Sequence, residues 1–226
     1  MRIVAFGDTH FPFAHKKAID WAIRKTAKLK PTHVVQVGDL LDLYGFSKFP
    51  KALFMPVDEE LGQGRLHAAH FWDRVCDASP NAERWQITGN HDARPFKRAL
   101  DLAPELAPLI GKSLRELYTF PHVATIHEPD DELILGDEVM VQHGHRSRLG
   151  DHSRFNQMST ICGHSHTGGV VFQRNINGTF WELNAGLLGD PNHKVFGYRA
   201  QKKIHTCTLG LAVVDEDGPR FIPYDE

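Results

Sequence analysis

Two short apolar runs that each stop at Gly-Asp, with an amphipathic helix between them, set the first limit on how this chain can fold. "RIVAFGD" and "THVVQVGD" read as buried strands. Between them, "HKKAIDWAIRKTAKL" places Ala18, Ile19, Ala22 and Ile23 at helical spacing. Strand, helix and strand over about forty residues make a βαβ unit, whose strands pair in parallel through a right-handed crossover. The chain therefore reads as an α/β fold.

Further along, "VDEELGQGRLHAAHFWDRVCDA" reads as a helix whose apolar face holds Leu66, Ala69, Phe71, Trp72 and Val75. "ERWQITGNHD" is a third strand running into a polar turn, and "RPFKRALDLAPEL" is a short helix stopped near Pro104. From about residue 121 the pattern changes to short strands: "HVATIHE", "DELILG", "EVMVQHG", "STICGHS", "GGVVFQR", "GTFWELN", "CTLGLAVVD" and "PRFIPY". Asn177-Gly178 marks a hairpin turn. This β-rich half is expected to form a second sheet packed on the first. No linker or repeat divides residues 1–226, which read as one domain with a helical insertion at about 44–82.

Composition narrows the partners. With 26 basic and 28 acidic residues the net charge is -2, so nothing global points to nucleic acid or an anionic membrane, although a local basic patch is compatible with these counts. Three cysteines without a paired spacing suit a reducing cytoplasm, and no run approaches the roughly 18 apolar residues of a membrane span. The N-terminus lacks the apolar core of a signal peptide, so a cytoplasmic protein is expected. The 15 histidines outnumber tryptophan, tyrosine and methionine together, and histidine is the commonest transition-metal ligand.

Position gives these histidines meaning. In open α/β sheets, ligands bind at the carboxyl ends of strands. Those ends carry, in order, Asp8-Thr9-His10, Gly38-Asp39-Leu40-Leu41-Asp42, Gly89-Asn90-His91-Asp92, Gln142-His143-Gly144-His145 and Gly163-His164-Ser165-His166. Residues two apart on an extended strand share a face, so Asp8 with His10, and His164 with His166, are expected to present paired donors. The Asp39 carboxylate has two oxygens and can bridge two cations. Carboxylate, amide oxygen and imidazole together suit Mn²⁺, Fe or Zn²⁺ better than thiolate-seeking metals. Each block alone has a plainer reading: an aspartate at a strand end can be a helix N-cap, and "GNHD" can be a simple turn.

Taken in order, "GDTH", "GDLLD", "GNHD", "HGH" and "GHSH" resemble the calcineurin-like metallophosphoesterase superfamily. The resemblance runs from residue 8 to 166, and "LNAG" at 183–186 resembles a loop that follows the last block. It implies a four-layer α-β-β-α sandwich of two mixed sheets flanked by helices. It also implies a binuclear centre: Asp8, His10 and His166 on one metal, Asn90, His143 and His164 on the other, and Asp39 bridging. Two divalent ions follow, Mn²⁺ first, with Fe, Zn²⁺ or Ni²⁺ as alternatives. His91 would stand over the substrate phosphate as general acid, with Asp42 orienting it. Two such metals, about 3.5–4 Å apart, clamp phosphate oxygens and acidify a bridging water for in-line attack.

The expected substrate is a phosphodiester or phosphomonoester, either a nucleotide or another small phosphoester. Protein phosphatases of this superfamily resemble G-D-x-V-D-R-G at the second block. Here Leu43-Tyr44 follows Asp42, so that phosphate-gripping arginine is missing. Arg94, Arg146 and His145 are the candidate substrate contacts. A nuclease and a protein phosphatase remain as alternative activities. A binding scaffold that has lost catalysis is the non-enzyme alternative, against which the full ligand set counts. The oligomeric state is not legible. The insertion, including "YGFSKFPKALFMP", is expected to overhang the site and set specificity.

Overall fold

The computed structural model describes residues 1–126, 133–196 and 207–225. The opening βαβ unit forms as the pattern requires. Strands β1 (Ile3–Phe6) and β2 (His33–Gln36) pair in parallel, with α1 (Lys16–Leu29) crossing between them. Alternate residues of β1 face opposite ways, yet all are buried: Val4 and Phe6 meet the helices, while Ile3 and Ala5 meet a second sheet. A helix, α2 (Val57–Ala78), leads to β3 (Glu83–Ile87), parallel to β2. Its buried positions include Ala68, Phe71, Trp72 and Val75. Leu66, expected on that face, is instead 67% exposed, because the face is set by the shorter Gly64 and Ala68 packing on the sheet side.

Two short helices follow, α3 (Arg94–Leu102) and α4 (Ala107–Leu117), separated by a 3₁₀ turn at Pro104–Leu106. The stop near Pro104 is observed; α4 beyond it had no clear periodic signal. The remaining strands are β4 (Ala124–Ile126), β5 (Leu133–Leu135), β6 (Val139–Val141), β7 (Ser159–Cys162), β8 (Gly169–Asn175), β9 (Gly178–Asn184), β10 (Gly210–Asp215) and β11 (Gly218–Pro223). A short α5 (Asp151–Asn156) begins in the segment "HRSRLGDHSR" and packs on β7 and β9.

Two mixed sheets result, flanked by helices as the resemblance implied. The first has the order β11-β10-β1-β2-β3-β4 and the second β5-β6-β7-β9-β8. The β-rich half is therefore divided between the sheets. β10 pairs antiparallel with β1, and β4 extends β3, so both ends of this region belong to the first sheet. Strand periodicity specifies a strand but not its partner. The hairpin near Asn177 joins β8 to β9, with Ile176 and Asn177 as its two loop residues and Gly178 opening β9 opposite Asn175. Between the sheets, Val35, Val37 and Ile87 meet Val141, Ile161 and Leu183 in a dry core. The basic run at 198–205, with His205, and His127 lie outside the described residues.

Candidate metal centre

The core ends where the strands end. β1, β2 and β3 of one sheet and β6 and β7 of the other run out at a common edge. Asp8, Asp39, Asn90, His143 and the His164/His166 pair follow those strands and converge there. In one group, Asp8 Oδ2 lies 3.0 Å from His166 Nε2, which faces His10 Nε2 at 3.1 Å. Donor atoms of Asp8, His10, Asp39 and His166, all buried, lie within 4.8 Å of one another. In the adjoining group, Asn90 Oδ1 lies 2.7 Å from His164 Nδ1 and 3.1 Å from His143 Nε2. Asp39 stands between them, with Oδ2 4.0 Å from His10 Nε2 and Oδ1 3.5 Å from His143 Nε2.

The backbone reaches this convergence by a route that strand alternation does not describe. His10, Asp39, His164 and His166 have left-handed φ values of 50°, 51°, 66° and 62°. Such conformations cost of order 1–3 kcal/mol each for non-glycine residues and gather at functional sites. Asp8 and His10 still deliver their donors to one group, but the expectation that His164 and His166 share a strand face is corrected. His164 and His166 leave the strand and turn apart, one toward Asn90 and the other toward Asp8. The glycines of the blocks have a packing reason. A Cβ on Gly163 would fall 2.4 Å from Asp8 Oδ1, and one on Gly89 would fall 2.2 Å from Asp39 Oδ1.

Hydrogen bonding at the outer ring nitrogens tests whether these residues suit cations. His143 Nδ1 lies 2.9 Å from the Val37 carbonyl, and His10 Nδ1 lies 2.9 Å from Asp42 Oδ1. An acceptor at Nδ1 fixes the neutral tautomer with its Nε2 lone pair directed inward. His143 Nε2 points at two further acceptors, Asn90 Oδ1 and Asp39 Oδ1, so positive charge is favoured at that nitrogen, from a proton or from a metal ion in its place. Imidazole nitrogens, an amide oxygen and two carboxylates converge here, with the backbone N–H groups of His91 and His164 donating to Asp39 Oδ1 and Asp8 Oδ2. A divalent cation satisfies such a donor set. The donor set fits.

Electrostatics follow from this crowding. Burial works against the Asp39 anion, yet the surrounding His143, His91 and His10 rings hold its carboxyl well below the usual range. Burial also opposes the charged form of His143, but Asp39 and Asp8 outweigh it and raise that ring. Burial, and after it the charge of His143, pushes His164 down to about 4.

Beside the first group stands a second constellation. Asp42 Oδ1 is 2.9 Å from His91 Nδ1 as well as from His10 Nδ1. Arg94, at the start of α3, directs Nη2 to His91 Nε2 at 2.8 Å and Nη1 to the Asp42 carbonyl at 2.7 Å. A guanidinium only donates, so His91 accepts at Nε2 and donates from Nδ1 to Asp42. Arg146 lies elsewhere, 4.8 Å over the Phe155 ring. His145 donates its backbone N–H to His152 Nε2, as Arg146 does.

Sequence reading left two supporting carboxylates without a role. Asp92, the last residue of "GNHD", accepts from the N–H groups of Gly89, Leu40 and Leu41 and from the Tyr118 hydroxyl. It ties the loop after β2 to the loop after β3. Its fixed place in the block was the available signal. Glu182 of β9 accepts from the N–H groups of Gly150, His152 and Ser153 and so anchors the start of α5. Nothing local to Glu182 announces that contact.

A two-sheet α/β sandwich with carboxylate, amide and imidazole ligands gathered at facing strand ends defines a class of metal-centred protein. Residues 1–206 match the calcineurin-like phosphoesterase superfamily domain. The chain belongs to that superfamily. It is 26% identical to the Gene 54 protein of Mycobacterium phage L5, covering 98% of this chain and 91% of the other. It is also 26% identical to the Gene 54 protein of Mycobacterium phage D29, covering 75% and 70%. Among solved structures it is similar to Yfce, a phosphoesterase from E. coli, at 16% identity and TM-score 0.48, covering 96% of this chain and 90% of that one. It is likewise similar to Vps29 from Entamoeba histolytica, at 11% identity and TM-score 0.44, covering 100% and 99%.

Proposed function

We propose that this chain is a binuclear metal-dependent phosphoesterase that hydrolyses a phosphodiester or phosphomonoester in a nucleotide or small phosphoester. The observation that carries the reading is the His91–Asp42 pair beside a complete ligand set, with His91 Nε2 3.9 Å from Asp39 Oδ2. Asp8, His10, Asp39 and His166 would hold one divalent ion, and Asn90, His143, His164 and Asp39 the other. Mn²⁺ is the first choice for this donor set, with Fe, Zn²⁺ or Ni²⁺ as alternatives. When bound, such ions polarise the phosphoryl oxygens and make water nucleophilic at neutral pH.

The chain's own groups do the rest. Asp42 holds the His91 ring in one tautomer and orientation. Once Arg94 leaves Nε2, that nitrogen takes up a proton from solvent, and the Asp42 carboxylate stabilises the resulting imidazolium. His91 passes this proton from Nε2 to the leaving oxygen. A phosphate oxygen is a stronger acceptor for a guanidinium than an imidazole nitrogen, so substrate draws Arg94 away and frees Nε2. Arg94 thus takes the part of the arginine absent after Asp42. Among the described residues no helix is long and apolar enough to cross a membrane. The free thiols of Cys76 and Cys162 suit a reducing cytoplasm.

The test is hydrolysis of bis-p-nitrophenyl phosphate and p-nitrophenyl phosphate by the purified chain with Mn²⁺. Activity that EDTA abolishes and Mn²⁺ restores is expected. Silence toward both compounds across Mn²⁺, Fe, Zn²⁺ and Ni²⁺ would sink the reading.

A further inference from the structure

Next to the centre, a groove of about 460 Å³ opens between the loop after Tyr44 and helix α3. That lies within the roughly 300–1,000 Å³ of ligand-sized clefts. Asn90 and Arg94 line its inner end, so it continues directly from the candidate centre. One wall carries Phe46, Lys48 and Phe49, and Phe49 is 49% exposed. The other is α3, which contributes Lys97 and Arg98 one turn beyond Arg94. A helical turn advances about 5.4 Å, so positive charge is repeated outward from the reacting end.

This groove departs from the rest of the surface. Its lining has four cations and one acid, Asp101, whereas the whole chain has 26 basic and 28 acidic residues. A solvated helix face would mix both signs and would not be confronted by aromatic rings. A cationic track opposite an exposed aromatic is the pairing by which proteins bind single-stranded nucleic acid: the cations meet phosphates and the ring stacks on a base. A phosphopeptide has the anion but offers no base to stack.

We propose that this groove holds the nucleotides on one side of the scissile phosphate in a single-stranded oligonucleotide. The proposal rests on the phosphoesterase reading and names the substrate class of that site. Arg94 meets the scissile phosphate, Lys97, Arg98 and Lys48 meet the flanking phosphates, and Phe49 stacks on a base. Net charge concealed this, because the acids that balance these cations lie elsewhere on the chain.

Binding tests it separately from turnover. Fluorescence anisotropy of a short labelled oligothymidylate is followed with the His91→Asn chain in Mn²⁺, so that the strand is not consumed. Four phosphate contacts predict a log–log salt slope of about −2.8 for a single strand. The double change Lys97→Ala/Arg98→Ala, on the same background, should weaken binding and flatten the slope by about 1.4. Phe49→Ala should weaken it by roughly fivefold to a hundredfold, and Phe49→Trp should restore it. Affinity and salt slope unchanged by the double change would overturn the proposal. So would a phosphoserine peptide that competes as well as the oligonucleotide. Hydrolysis of bis-p-nitrophenyl phosphate by the unaltered chain reads only the phosphoesterase claim, so failure of one is distinguishable from failure of the other.

Discussion

Asp42 Oδ1 lies 2.9 Å from His91 Nδ1, and the same oxygen lies 2.9 Å from His10 Nδ1. One buried carboxylate therefore orients a ring of the first ligand group and the ring beside it. Burial opposes the Asp42 anion, but the charges of His91 and the hydrogen bonds from His10 and His91 hold it well below the usual carboxylate range.

Asp42→Asn tests that double role. The amide keeps the volume and one acceptor oxygen but loses the charge that holds both rings. Removing such an outer hydrogen-bond partner typically reduces metal affinity or activity 10–100-fold. Both kcat and Mn²⁺ affinity should fall, the second through His10. Calorimetric Mn²⁺ titration that matches the unaltered chain would separate Asp42 from the metal and leave it with His91 alone.

His91→Asn removes the proposed acid without touching an inward-facing ligand nitrogen. General acid catalysis contributes roughly 10²–10⁴-fold, so kcat on p-nitrophenyl phosphate should drop in that range. Metal content by elemental analysis should stay the same. Retained turnover with normal metal content would deny His91 any proton transfer.

The sign of the pH dependence comes from His164. Its folded value, about 4, lies below the ordinary 6.5 because burial, and then the His143 charge, disfavours protonation. Between those two values the unfolded chain binds a proton that the folded chain refuses. Stability is then complete above about 6.5 and declines as pH falls toward about 4. Denaturant melts of the metal-free chain at pH 7 and pH 4.5 should differ by about 2 kcal/mol more than the same pair for His164→Gln. An equal pH dependence in both chains would contradict it.

Gly89→Ala places a Cβ 2.2 Å from Asp39 Oδ1 and 2.3 Å from the Asp39 backbone nitrogen. The carboxylate can swing aside but the backbone nitrogen cannot, so the two loops must separate. Overpacking of this kind costs about 1–3 kcal/mol, and metal occupancy should fall because Asp39 serves both groups. Thermal melts and metal analysis measure the two effects, and a fully loaded chain of unchanged stability would refute the close-packing account.

Residue types at strand ends determined much of this protein before any contact was known. The runs before Asp8 and Asp39 are apolar because β1 and β2 are buried on both faces, and the polar blocks begin where that burial stops. Period and composition are local properties, so the βαβ start and the polar blocks at the strand ends were legible. The pairing of Asp42 with His91, observed at 2.9 Å, was implied by the family resemblance. Tertiary structure decided what depends on partners distant in sequence. It placed β10 beside β1 instead of in the second sheet, since many strands satisfy the same alternation. It divided His164 from His166 through left-handed turns that a strand pattern cannot encode. It stood Arg94 of α3 against His91 and the Asp42 carbonyl while Arg146 lies over the Phe155 ring, and it gathered Phe49, Lys97 and Arg98 into one groove. Each of these turns on the distance between residues far apart along the chain, which packing sets and local periodicity does not carry.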